Sequence, residues 1–274
     1  MRGSERMMYL EHTPLPPLAP WVRMLWYVRA PDAVPGRERV LPNGNMQIVI
    51  NLAREFCTGC MEDGPTFRQA SSLAVGIQRR YGVIDSVDLA EMVGVVFAPG
   101  GMRRFVDAPT ADFSFAETDL GDVWGRGAAT LRERLMEAPT PSAKFKVLES
   151  ELLARLRPGS VHPAVLLALE KIRNGRAKVS VRDLCAATGY SSRRLGQLFE
   201  DEVGVGPKML ARILRFQRAV QRLHAGCEMR WDELALDCGY CDQSHFANDF
   251  RDFSGMSLTA YAQSDRVWAN HVRV

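Results

Sequence analysis

A chain of 274 residues with 46% hydrophobic and 24% charged side chains has room for two domains and the balance of a folded globular protein, which excludes a disordered or fibrous one. Its apolar runs are short and broken by Pro, Gly or charge, so no bilayer span or signal peptide is expected, and a cytoplasmic protein without a membrane partner is. The net charge of +3 is uneven: residues 1–159 hold 19 basic and 19 acidic side chains, residues 160–274 hold 16 and 13, and 191–222 hold seven and three.

The first 125 residues read as strands separated by Gly and Pro. Met46–Leu52, after Pro42-Asn43-Gly44, and Met92–Phe97, before Pro99-Gly100-Gly101, are the strongest candidates. Leu73–Ile77 and Tyr81–Ile84 are weaker ones. The spacing predicts an N-terminal β-barrel-like domain over 1–125, with a cupin-like barrel as one form. Helical texture follows. Leu131–Glu137 is a short helix. Lys144–Leu156 places Phe145, Leu148, Leu152 and Leu156 on one stripe. Residues 126–160 are expected to be a helical linker and that stripe a dimer seam, stopped by Pro158-Gly159. The remainder, 161–265, reads as all helix, so the fold class is α+β. Pro163–Ile172 is its first helix, and Ser180 with Asp183 opens the next.

Two segments of this region repeat at a shift of about 50 residues. Leu184 matches Leu234, Gly189 matches Gly239 and Tyr190 matches Tyr240. After one extra residue Leu195 matches Phe246, Phe199 matches Phe250 and Gly204 matches Gly255. Each unit reads as helix, glycine turn, helix, which is a helix-turn-helix. Leu184, Leu195 and Phe199, with Leu234, Phe246 and Phe250, are expected in the core. The other positions of each second helix are left to face a DNA major groove. Pro207–Leu223 reads as one helix between the units, with Leu210, Leu214, Val220 and Leu223 inward and Arg212, Arg215, Arg218 and Arg222 on other faces. Its length of roughly 25 Å suits two recognition helices about one DNA turn, roughly 34 Å, apart.

Residues 163–262 resemble the DNA-binding domain of AraC/XylS-type transcriptional regulators. The second unit carries the resemblance in Gly239-Tyr240-Cys241-Asp242-Gln243-Ser244-His245-Phe246, Phe250-Arg251 and Gly255. Phe199, Gly204, Pro207 and Arg215–Ala219 add to it. Leu258 stands where the family usually has Pro, Cys241 where Ser is common and Asn248 where Arg is frequent. Residues 9–125 resemble a sensor-like domain of uncharacterised ligand that precedes such domains. The carrying segments are Leu41–Val49, Val95–Gly101 and Asp122–Gly125.

The resemblance implies base readout by Ser192, Arg193, Arg194 and Gln197 in the first unit, and by Gln243, Ser244, His245 and Asn248 in the second. Arg suits guanine, and Gln or Asn suits adenine. Lys208, Arg212 and Arg251 are better suited to phosphate. Glu200-Asp201-Glu202 is expected away from the DNA. It further implies double-stranded promoter DNA and RNA polymerase as partners, a homodimer, and a small-molecule effector. Trp26, Tyr27, Asn43, Asn45 and Gln47, with Trp21 nearby, are candidates for an effector pocket. Arg103 and Arg104 could meet an acidic effector.

No catalytic residues, metal or cofactor are expected. The histidines, His12, His162, His224, His245 and His271, leave residues 40–115 without one, and no phosphate-loop or Ser/His/Asp pattern is present. Six cysteines without a secretory signal read as thiols. Cys57 and Cys60, in an expected loop, make a thiol- or metal-responsive regulator one alternative. Cys238 and Cys241 read as small turn residues. A purely dimerising N-terminal domain is the other alternative, and an alkyl-transferring repair protein is disfavoured because one cysteine pair is too few.

Overall fold

The computed structural model describes residues 7–32, 35–60, 66–174, 179–226, 229–264, 266 and 268–273. Its N-terminal part runs through β1 (Met8–His12), β2 (Val22–Arg29), β3 (Arg37–Val40), β4 (Gln47–Asn51), β5 (Phe56–Cys60), β6 (Thr66–Ala70), β7 (Ser72–Val75), β8 (Gly82–Asp85), β9 (Glu91–Phe97) and β10 (Glu117–Asp119). Three helices follow: α1 (Leu120–Trp124), α2 (Arg126–Glu137) and α3 (Pro141–Arg155). The C-terminal part contains α4 (Pro163–Asn174), α5 (Val181–Thr188), α6 (Ser192–Val203), α7 (Pro207–His224), α8 (Trp231–Cys238), α9 (Gln243–Ser254) and α10 (Leu258–Gln263). A last strand, β11 (His271–Arg273), ends the described chain.

The strands form two antiparallel sheets, ordered β1-β2-β9-β4-β7-β10 and β11-β3-β8-β5-β6. Neither closes on itself, so the barrel-like expectation becomes two open sheets facing each other. Alternation along the strands gives the first sheet two apolar faces. Leu25, Tyr27, Ile48, Ile50, Val93 and Val95 point to a large core shared with the helices. Trp26, Val28, Val49, Leu73, Val75 and Met92 point the other way, into a smaller core shared with Cys57 and Ile84 of the second sheet.

The stripe on α3 lies inside the chain. Phe145, Leu148 and Leu152 are buried in the large core. Lys144 donates from Nζ to the carbonyl of Leu135 at 2.6 Å and lies 3.4 Å from Glu91. Glu149 accepts from the Leu15 backbone N–H at 2.9 Å and bonds His12 at 3.1 Å. The expected dimer seam is thus an intramolecular packing face. A stripe at helical spacing looks the same in sequence whichever neighbour covers it.

The C-terminal helices are joined to the sheets at three places. The Thr110 hydroxyl donates to the carbonyls of Glu200 and Asp201, at 3.1 and 2.8 Å, and that of Ser114 to Gly204. The Tyr81 N–H donates to the carbonyl of Phe253 at 2.9 Å. Gln217 of α7 donates to the carbonyl of Pro42 at 2.6 Å and to Asn270 at 2.9 Å. Asn270 precedes β11, which pairs with β3, so the chain returns to the N-terminal sheet after the last helix. No helix among the described residues is long and apolar enough to cross a membrane.

Gly94 faces Trp26 across the β2–β9 pair, and a Cβ at Gly94 would overlap the indole. Gly94→Ala is therefore expected to destabilise the fold by about 1–3 kcal/mol, as overpacking does. A lowered urea midpoint with unchanged slope checks it, and an unchanged midpoint would show that Trp26 yields.

Candidate nucleic-acid interface

The two repeats fold as paired helices with matching ends. Ser180 and Asp183 close a capping box at the start of α5, which ends at Gly189 in the left-handed conformation, φ +73°. Gly239 ends α8 in the same way, at φ +87°. These are positions where a side chain would be strained. Ser191 caps α6 by accepting from the N–H of Arg194, and Asp242 caps α9 by accepting from that of His245.

Each second helix buries one face and exposes the other. On α6, Leu195, Leu198, Phe199 and Val203 are buried. Ser192, Arg193, Arg194 and Gln197 are exposed. On α9, Phe246, Asp249, Phe250 and Phe253 are buried. Gln243, Ser244 and Asn248 are exposed. His245 is half-buried, edge-on to Tyr240 at 5.3 Å and 4.0 Å from Asp249. Tyr240 is fully buried, and burial, reinforced by the Asp249 charge, holds its phenol well above the ordinary tyrosine range. The two matched tyrosines differ, since Tyr190 is exposed and meets His162.

Lys208 and Arg251 are exposed. Arg212 is placed differently from the phosphate contact expected of it. It pairs with Asp249 at 2.5 Å and Asp252 at 3.4 Å and lies over the Phe253 ring. Hydrogen bonding to Asp249 raises its pKa further. The other arginines of α7 also face protein. Arg215 lies over Tyr240, Arg218 donates to the carbonyls of Ile172 and Arg173 at the end of α4, and Arg222 pairs with Asp237 at 2.8 Å. The acidic run sits at the far end of α6 from its exposed N-terminal turn, where the Glu202 carboxylate accepts from the His162 N–H at 3.0 Å. Leu258 starts α10 beneath a Ser257 cap, so the missing Pro leaves the helix start intact.

A cavity of about 170 Å³ lies between the two sheets. Trp26, Asn43, Asn45 and Gln47 line it. Tyr27 does not. It is one residue from Trp26 and so faces the opposite core, with its hydroxyl donating to Glu91 at 3.1 Å. Gln69, Gln78, Asp88, Glu117 and His271 also line the cavity, and no local pattern points to them because they come from separate strands and loops. Trp21 packs on the large core with Arg104 over its ring. Arg103 and Arg104 donate to backbone carbonyls of Val106 and Pro158. Cys57 stands on a strand, not in a loop. Its thiol is pushed up to about 12, by burial first and the Asp88 charge next, which suppresses the reactive thiolate. The Cys60 side chain lies outside the described residues.

Residues 184–264 match a family described as a helix-turn-helix domain, and residues 10–118 match a domain of unknown function (DUF6597). The chain thus carries a helix-turn-helix domain behind a domain of unknown function. Solved structures similar to it include ToxT from Vibrio cholerae O395 bound to (E)-4-(8-methylnaphthalen-1-yl)but-3-enoic acid, at 10% identity over 84% of this chain and 97% of that one, with a TM-score of 0.47. The C-terminal domain of AraT, a response regulator from Geobacillus stearothermophilus, matches at 20% identity over 40% of this chain and 92% of that one, TM-score 0.37. The xylose-binding transcription activator xylR matches at 20% identity over 44% and 38%, TM-score 0.33. No curated protein matches the chain.

Glu38, on β3, accepts from the Ser86 hydroxyl at 3.0 Å and bonds His271 at 3.1 Å. The hydrogen bond from His271 holds its carboxyl below the ordinary glutamate range against the opposing effect of burial. A depressed folded-state value stabilises the fold above the unfolded-state value of about 4.3 and is lost as pH falls below it. Melting temperature is therefore expected to fall more steeply below about pH 4.3 in the wild type than in Glu38→Gln. Parallel acid limbs would contradict this.

Proposed function

We propose that the chain is a sequence-specific regulator that binds promoter DNA through two successive major-groove segments and responds to a small molecule held in the N-terminal domain. The observation that supports this best is the matched pair of helices, α6 and α9, each with its apolar face buried and its N-terminal polar side chains exposed. A helix presented in this way can enter the major groove. Arg193 and Arg194 are assigned to guanine, and Gln197, Gln243 and Asn248 to adenine. Ser192, Ser244 and His245 take secondary contacts. Lys208 and Arg251 position the backbone. Arg212 is left out, because its ion pair with Asp249 ties α7 to α9.

The 170 Å³ cavity supports the effector part of the reading, since it combines apolar walls with several convergent polar groups. The thiol-sensor alternative is disfavoured by the burial and raised pKa of Cys57. A homodimer would use a surface other than the α3 stripe. RNA polymerase is the partner an activating role would add, and the cytoplasm is the proposed setting.

The test is Arg194→Ala against a site obtained by in vitro selection. Affinity for that site is expected to fall about 5- to 100-fold, with binding to random DNA changed little. An equal loss on both would make Arg194 a phosphate contact or a structural residue.

A further inference from the structure

The inter-sheet cavity draws its walls from both ends of the chain. Trp26, Val49 and Leu73 come from the first sheet, while His271 comes from β11, beyond the helix-turn-helix units. Asn270, beside His271, accepts from Gln217 of α7 with its side chain, and its backbone carbonyl accepts from the N–H of Leu41 at 2.8 Å. The same short tail therefore touches the cavity, the N-terminal sheet and the helix that joins the two DNA-binding units.

The polar lining defines the chemistry of an occupant. Asn43, Asn45, Gln47, Gln69 and Gln78 are amides, which offer both donors and acceptors. Asp88 and Glu117 are carboxylates. Asp88 is buried, with Arg54 at 3.5 Å, and Glu117 accepts from Gln69 at 2.5 Å. His271 is held by Glu38. An anion placed among these carboxylates would meet like charge in a medium that screens poorly. Uncharged amide-like groups would find partners, and a cation would find opposite charge beside the face of Trp26. The volume of about 170 Å³ is close to that of a cavity known to hold benzene, about 150 Å³.

We infer that this cavity is a composite site for one small uncharged or singly positive molecule with a ring-sized apolar body, and that His271 of the tail forms part of its wall. The inference rests on the effector reading above and narrows it. Occupancy and seating of the tail are then linked, because the ligand and β11 meet at one residue.

The experiment uses the full-length chain with ¹⁵N-labelled tryptophan and three probes of equal size: benzamide, benzamidine and benzoate. Binding is followed at the Trp26 indole N–H, assigned by its loss in Trp26→Phe. Benzamide and benzamidine are expected to shift this resonance saturably, with benzoate at least about tenfold weaker. His271→Ala is expected to weaken the first two probes about threefold or more at unchanged circular dichroism, and His271→Gln to recover part of the loss. Benzoate binding as tightly as benzamide would overturn the inference. So would saturable binding by none of the three, or binding unaffected in a folded His271→Ala chain. Affinity for the selected DNA site is measured on the same samples. If it is retained when the probes fail, the fault lies with this inference. If it is absent, the regulator reading itself fails.

Discussion

The end of a helix leaves carbonyls with no partner inside the helix, and this constraint organises the molecule at α6. Its closing carbonyls are met by the hydroxyls of Thr110 and Ser114, on the turn that leads into β10. Gly204, at φ +92°, ends the helix in contact with Met46 and Thr110. The second unit repeats the arrangement. The Phe253 carbonyl near the end of α9 accepts from Tyr81, and Gly255, at φ +69°, lies against the Tyr81 ring. Both α6 and α9 thus dock their C-terminal ends on turns of the N-terminal part and leave their N-terminal turns exposed. The N-terminal part and the C-terminal helices are therefore held together by both polar and apolar contacts.

The charges of the C-terminal part divide by the same geometry. The arginines of α7 look in sequence like a basic stripe for DNA, yet they hold neighbouring helices. Arg212 secures α9 through Asp249, Arg218 caps α4 and Arg222 meets α8 through Asp237. Removing Arg212 would strand a carboxylate that is only 5% exposed, which is costly in a way that losing a surface ion pair is not. The exposed cations at the candidate interface are Arg193, Arg194, Lys208 and Arg251. So small a set of exposed cations is in keeping with the modest net charge of +3.

Much of this was legible in the residues. The repeat predicted both helix-turn-helix units, because glycine ends and buried Leu and Phe recur at fixed offsets. Ser180 and Asp183 announced their capping box, and the apolar runs of β4 and β9 were long enough to register. The strands β10 and β11 were not, since three residues carry no period. The parity of β2 was also hidden, and with it the difference between Trp26, which lines the cavity, and Tyr27, which does not. Arg212 could not be sorted from a phosphate contact because its partner lies 37 residues away. Nor does the α3 stripe say in sequence whether the chain or a second copy covers it.

In the proposed reading, α6 and α9, both anchored on the N-terminal part, read consecutive grooves on one face of DNA. Hydroxyl-radical footprinting of the full-length chain on a selected site tests this reading. Two protected patches centred about one helical turn, roughly 10 base pairs, apart on the same face are expected. A single patch, or two on opposite faces of the duplex, would contradict it.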